Sequence, residues 1–146
     1  MNKELHCLIF SENLDQIALM DHKFIPPFID NTKPYKYLTE ENRQNTQDAF
    51  NFLRTVLDIR PHEILYYKEV MKVTTGKHIS IYSFVVEGTL QDVNRSPNIP
   101  LWVISIKEIK QHLIGGFTSH EVYRSMLDAL DITLRIFPKE INELLS

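Results

Sequence analysis

One cysteine, Cys7, stands among the 146 residues, so an intramolecular disulfide is impossible and a thiolate cage around a metal is not expected. Glycine is scarce as well: with four in all, the chain has no glycine-rich loop to cradle a phosphate and no G-x-S-x-G elbow. No apolar run approaches the length needed to span a bilayer. The first of them, residues 5–10 (LHCLIF), is too short for the apolar region of a signal peptide, so a soluble, cytoplasmic protein is expected. Basic blocks are missing too. With a net charge of -3, nonspecific binding to nucleic acid or to an anionic membrane is not favoured. The six histidines (His6, His22, His62, His78, His112 and His120) are dispersed, with no pair at helical metal-binding spacing. His62 and Glu63 are adjacent and on a strand would face opposite ways. What is present is ordinary for one globular domain covering 1–146: 43% apolar and 24% charged residues, in a chain long enough to bury a core.

Residues 5–10 read as a buried strand, and Ser11-Glu12-Asn13 supplies turn chemistry before a second strand at 16–20, which predicts a hairpin. Cys7 lies within the first strand as a small buried hydrophobe, and His6 points to the opposite face, a poor base for it. Residues 24–37 (FIPPFIDNTKPYKY) carry three prolines and are expected to be extended and irregular. Their aromatics, Phe24, Phe28, Tyr35 and Tyr37, alternate with Lys33 and Lys36. Rings beside cations suit a nucleobase and its phosphates; equally, rings pin a loop to a core.

From Asn45 the pattern turns helical, with Ala49, Phe50, Leu53, Val56 and Leu57 on one face, Asn45 as the cap and Asp48 set against the dipole. Pro61 bars continuation past about Asp58. Strands are predicted at 64–74 and 79–86, separated by a turn at Thr75-Gly76-Lys77, with Gly88 closing the second. A loop follows at 91–100, then a strand at 101–106 and a brief helix at 107–113, broken by Gly115-Gly116. Ser119 is placed to cap a final helix with Val122, Met126, Ala129, Leu130 and Thr133 on one face, which Pro138 ends or kinks. Ser119-His120-Glu121 reads as that cap rather than as catalytic machinery. The order predicts an α+β or mixed α/β fold, a small mixed sheet flanked by helices.

In layout, the stretch 37–59 resembles the signature loop and helix of the Nudix hydrolases, G-x5-E-x7-R-E-U-x-E-E-x-G-U, where U is a bulky aliphatic residue. In the natural register Leu53 and Ile59 fall on the two U positions, and the helix length agrees. Tyr37 and Asp58 then occupy the glycine positions. Arg43 stands for the first glutamate, Asn51 for the arginine, Phe52 for the next glutamate, and Thr55 and Val56 for the glutamate pair. The family uses those carboxylates to hold Mg²⁺ or Mn²⁺ on a diphosphate, and a hard divalent cation needs several oxygen ligands. Phe52, Thr55 and Val56 offer one hydroxyl between them. Sliding the register does not help, because the helix interior has only Asp48 and its end only Asp58.

The resemblance therefore implies a Nudix-like pseudoenzyme without metal or other cofactor. Its expected partner is a nucleotide or nucleotide-derived molecule, held by Phe24, Phe28, Tyr35 and Tyr37 as walls and Lys33, Lys36, Arg43 and Arg54 as phosphate contacts. Replacing an acid by Arg43 turns a cation-recruiting position into an anion-attracting one. Two other functions stay open. One is a protein-interaction or homodimerisation module whose pocket is filled by Phe52. The other is a hydrolase with relocated acids drawn from Glu40, Glu41, Glu69 or Glu87.

Overall fold

The computed structural model describes residues 3–20, 27–30, 42–73, 78–90, 101–114 and 121–145. Along them run β1 (Lys3–Phe10), β2 (Gln16–Met20), β3 (Phe28–Asp30), α1 (Asn42–Thr55), β4 (Ile64–Val73), β5 (His78–Val86), β6 (Leu101–Ser105), α2 (Ile106–Ile114) and α3 (Glu121–Leu145). A single 3-10 turn, Pro61–Glu63, leads into β4. The fold is mixed α+β, as the order of apolar segments predicts.

The strands form one mixed sheet in the order β4-β5-β1-β2-β6. β1 lies at its centre, parallel to β5 from Lys3 opposite His78 to Phe10 opposite Val85. Its other edge is shared: β2 pairs with Ile9 and Phe10, and β3 with Glu4, Leu5 and His6, both antiparallel. Sequence reading leaves 24–37 irregular, yet Phe28–Asp30 is a strand. The N-terminal half of β1 would otherwise leave a row of main-chain groups unpaired beside the core. A parallel pair covered on both faces explains why 5–10 and 79–86 are nearly continuous apolar runs.

Alternation along the strands builds two cores. On one face Leu5, Cys7 and Ile9 of β1 and Tyr82, Phe84 and Val86 of β5 meet Ala49, Phe52 and Leu53 of α1, with Leu57 and Ile59 just beyond the helix. On the other, Leu8, Phe10, Ile79, Ile81 and Val85 meet Ile109 of α2 and Met126, Ala129, Leu130 and Phe137 of α3. The sheet is thus the middle layer between α1 and the α2–α3 pair. Thr133, a polar residue within the second core, is satisfied there. Its hydroxyl donates to the Ala129 carbonyl at 2.7 Å and lies 2.7 Å from Ser83 Oγ of β5.

One local expectation changes, and two that the sequence left open are decided. α1 begins at Asn42, so Asn45 is inside the helix rather than its cap. α3 continues past Pro138 to Leu145. Pro138 is exposed, and the turns on either side of it are anchored by buried Phe137 and by Glu140, which accepts from Tyr66 and Lys68 of β4. Phe52 belongs to the core. The turn at 75–77, the pair Gly115-Gly116 and the cap Ser119 lie outside the described residues.

Where α1 ends, Asp58 adopts the left-handed conformation, with φ 57. The chain closes back on the helix as the Leu57 N–H donates to the Phe52 carbonyl at 3.4 Å and the Ile59 N–H to the Leu53 carbonyl at 2.8 Å. That reversal drops both Leu57 and Ile59 into the core. A Cβ is penalised there by about 1–2 kcal/mol, less for the short polar side chains of Asp and Asn. Asp58→Gly is therefore expected to be about 1 kcal/mol more stable than Asp58→Ala in urea unfolding. Equal stabilities would show that the turn imposes no such conformation.

Candidate functional site

The face of the sheet beneath α1 changes character along the helix. Under the C-terminal half it is aromatic and apolar. Phe50 of α1 meets Tyr67 of β4 and Phe84 of β5 edge-on, with centroids 4.7 and 5.5 Å away, while Tyr67 and Tyr82 lie stacked beside Phe84. Under the N-terminal half it turns polar. Tyr82 places its hydroxyl 3.1 Å from Thr46 Oγ1 of α1, and the Glu69 carboxylate of β4 lies beside the same hydroxyl. Lys72 Nζ is 3.5 Å from Glu69 Oε1. Ser80, opposite Lys72 in the β4–β5 ladder, completes the row.

Burial dominates the ionisation of this face. It pushes the Tyr82 hydroxyl up to about 12; the Thr46 hydroxyl opposes that rise, and the charge of the neighbouring Glu69 carboxylate adds to it. Burial likewise pushes the Cys7 thiol up to about 12. A thiol held protonated this far above neutrality is no nucleophile, and Cys7 packs as the small hydrophobe its strand position predicts. His6, on the other face of β1, is bonded through Nε2 to Glu4 Oε2 at 2.8 Å. Both raised groups weaken the fold in alkali. The unfolded thiol and phenol ionise near 9 and 10, while the folded ones keep their protons to about 12. The unfolded chain thus binds fewer protons in that window, and stability falls as pH rises through it. The urea midpoint is expected to hold up to about pH 8.5 and to drop above, with Tyr82→Phe shallowing the upper part of the decline. A midpoint flat to pH 11 would contradict both assignments.

Of the residues expected to bind a ligand, Phe24, Lys33, Tyr35, Lys36 and Tyr37 lie outside the described residues. Phe28 opens β3, opposite His6 of β1. Arg43 sits in the first turn of α1, which carries no acid, and Arg54 in the last. The two arginines fall on nearly the same side of the helix but about 16 Å apart along it, too far to grip one phosphate group. Arg54 is exposed and donates to Asn51 Oδ1 at 3.4 Å, and a cation in the last turn complements the helix dipole. A cation in the first turn does not. Arg43 is thus the arginine whose place helix energetics leave unexplained.

Sequence reading passed over Thr46, Tyr82 and Lys72, and held Glu69 only as one of four scattered acids. The available signal was the alternation that puts Ser80 and Tyr82 on one face of an otherwise apolar strand. Glu87, another of the four, is exposed just beyond the end of β5, its N–H donating to the Glu63 carbonyl at 2.8 Å. Glu40 and Glu41 lie outside the described residues. Among the described residues no three of the types His, Cys, Asp and Glu converge closely enough to hold a metal ion. No helix there is long and apolar enough to cross a membrane. Beside the aromatic end an open groove of about 600 Å³ runs along edge strand β4, lined by Phe50, Ile64, Leu65, Tyr66, Tyr67 and Leu144.

Fold and site define a mixed α+β protein with a helix laid over a sheet face that is aromatic at one end and polar at the other. No protein-family model matches the chain, and no curated protein sequence matches it.

Proposed function

We propose that the chain is a noncatalytic, Nudix-like module that binds a nucleotide or nucleotide-derived ligand without a catalytic metal. The observation that carries this reading is the state of α1. In the register set out above, Asp58 stands at the closing glycine of the signature, and its left-handed backbone is the conformation that glycine favours. Leu53 and Ile59, on the two aliphatic positions, are buried. The acid positions have gone the other way: Phe52 is fully buried and Val56 packs against the core, while exposed Thr55 carries one hydroxyl. Arg43 replaces the first acid in a helix turn that already favours anions. Phosphate would then be met by protein cations directly, with no bridging metal.

The test is thermal shift against AMP, ADP, dinucleotides and cyclic nucleotides, in EDTA and in Mg²⁺. A ligand that binds only the native chain at a hundred times its Kd adds about 2.7 kcal/mol of stability. The expected result is stabilisation by a nucleotide that EDTA leaves unchanged. Turnover abolished by EDTA would instead favour a hydrolase using an acid outside the signature, for which Glu69 is the best placed. A second reading, an interaction or homodimerisation module, draws on the exposure of Leu65 (45%), Tyr67 (44%) and Leu144 (66%) around the β4 groove. Concentration-dependent dimerisation without any nucleotide shift would favour it.

A further inference from the structure

We propose that Lys72 and Glu69, brought onto one face by the β-bulge in β4, contact the ligand's phosphate and sugar respectively; this rests on the nucleotide reading above. Residues three apart on a regular strand point to opposite faces. The β4–β5 ladder breaks that rule. Glu69 pairs with Tyr82 and Lys72 with Ser80, two residues apart on β5 and so on its α1 face, with the register shift falling between Glu69 and Met71. Val70 and Met71, the residues at the shift, both pack into the core on the far side. Without the bulge, Lys72 would point into that far core and the α1 face would hold no such cation–carboxylate pair. Bulges recur beside binding sites because one extra residue re-aims the side chains that follow it.

The pair is positioned to reach a ligand. Side chains of Glu69 and Lys72 are 26% and 40% exposed, so both border solvent while standing on the α1 face. The Tyr82 hydroxyl, 3.1 Å from Thr46 Oγ1, belongs to the residue opposite Glu69 in the β4–β5 ladder and stands behind the pair. A carboxylate has about four acceptor sites and can take further hydroxyl protons. Acidic side chains elsewhere read ribose hydroxyls in this manner, and a lysine ammonium serves a phosphate as a point charge. On the helix, Arg43 stands within about 20° of Phe50 and 60° of Thr46, the two residues of α1 that meet β4 and β5. It therefore lies on the β4 side of α1, one turn beyond Thr46. Lys72 and Glu69, a cation and an acid that border solvent on one face, are matched in charge to a phosphorylated sugar, whichever base it carries.

The experiment is titration calorimetry in EDTA with ADP, adenosine and 2′,3′-dideoxy-ADP, on the full chain and on Lys72→Met, Glu69→Gln and Arg43→Glu. Lys72→Met is expected to weaken ADP at least tenfold while leaving adenosine unchanged. Glu69→Gln should erase the preference for ADP over its dideoxy analogue. Melting curves like that of the parent establish that each variant is folded. If Lys72→Met and Glu69→Gln bind ADP as the parent does while Arg43→Glu does not, the assignment of this pair is overturned and the nucleotide reading stands. A parent chain that binds neither ADP nor any AMP, dinucleotide or cyclic nucleotide of the thermal-shift panel overturns both.

Discussion

Phe52→Ala should lower stability in urea by about 3–5 kcal/mol, the cost of deleting a large ring from a packed core. Phe52 is fully buried, seated among Leu5, Cys7 and Ile9 of β1, Phe84 of β5 and Leu53 of its own helix. Against an ordinary total of about 5–15 kcal/mol, the loss is a large part of what holds the fold. Phe52→Leu, which keeps most of the volume, should lose far less. Phe52→Glu is the informative contrast, because it puts an acid where the Nudix signature has one. An isolated carboxylate at this depth costs several kcal/mol, so the variant should unfold or swell and acquire no Mg²⁺-dependent turnover. A well-folded Phe52→Glu that gains metal-dependent hydrolysis would show that the metal face had only been masked. A Phe52→Ala within about 1 kcal/mol of the parent would remove the ring from the core.

Arg43→Glu should separate helix stability from ligand affinity, because the two move in opposite directions. An acid in the first turn interacts favourably with the helix dipole, by about 0.3–1 kcal/mol where an arginine is unfavourable. The free protein should thus melt at the same temperature or slightly higher. If the chain binds a nucleotide as proposed, with Arg43 as a phosphate contact, binding should fall by about 2–5 kcal/mol, roughly thirtyfold or more, as an attracting charge becomes a repelling one. Arg43→Met should lie between the two. The measurement is the melting temperature with and without ADP in EDTA. A ligand-induced shift that survives Arg43→Glu unchanged would take Arg43 out of the site. A free protein that loses several degrees would mark the arginine as a structural ion-pair partner instead.

How much could be read beforehand follows from the kind of signal each feature leaves. Apolar periodicity located α1, α3 and the main strands, because one buried face repeats along each of them. It missed β3, since three residues are too few to show a period and their need for a partner comes from β1. It left open whether Pro138 ends α3 or only kinks it, and the contacts of Phe137 and Glu140 carry the helix through to the turns expected at 140–145. At the site, Arg43 was singled out because it stands at an acid position of the Nudix signature, while its place in the first turn of α1 was not foreseen, since Asn45 reads as the cap. The meeting of Glu69, Lys72 and Tyr82 was not legible, since it depends on a bulge and on the pairing of two strands.

The sequence by itself determined that the catalytic acids of the Nudix signature are absent from residues 37–59, because no folding can supply carboxylates to Phe52, Thr55 and Val56. It also determined which face of α1 packs, since Ala49, Leu53 and Leu57 are apolar at helical spacing. Only the tertiary structure decided that Phe52 fills the core rather than facing a pocket. The reason is that it shares the buried arc with Ala49 and Leu53, and only the packed sheet shows how wide that arc is. The structure alone also brought Glu69 and Lys72 to one face, because a bulge is a property of two paired strands and leaves no mark on either one.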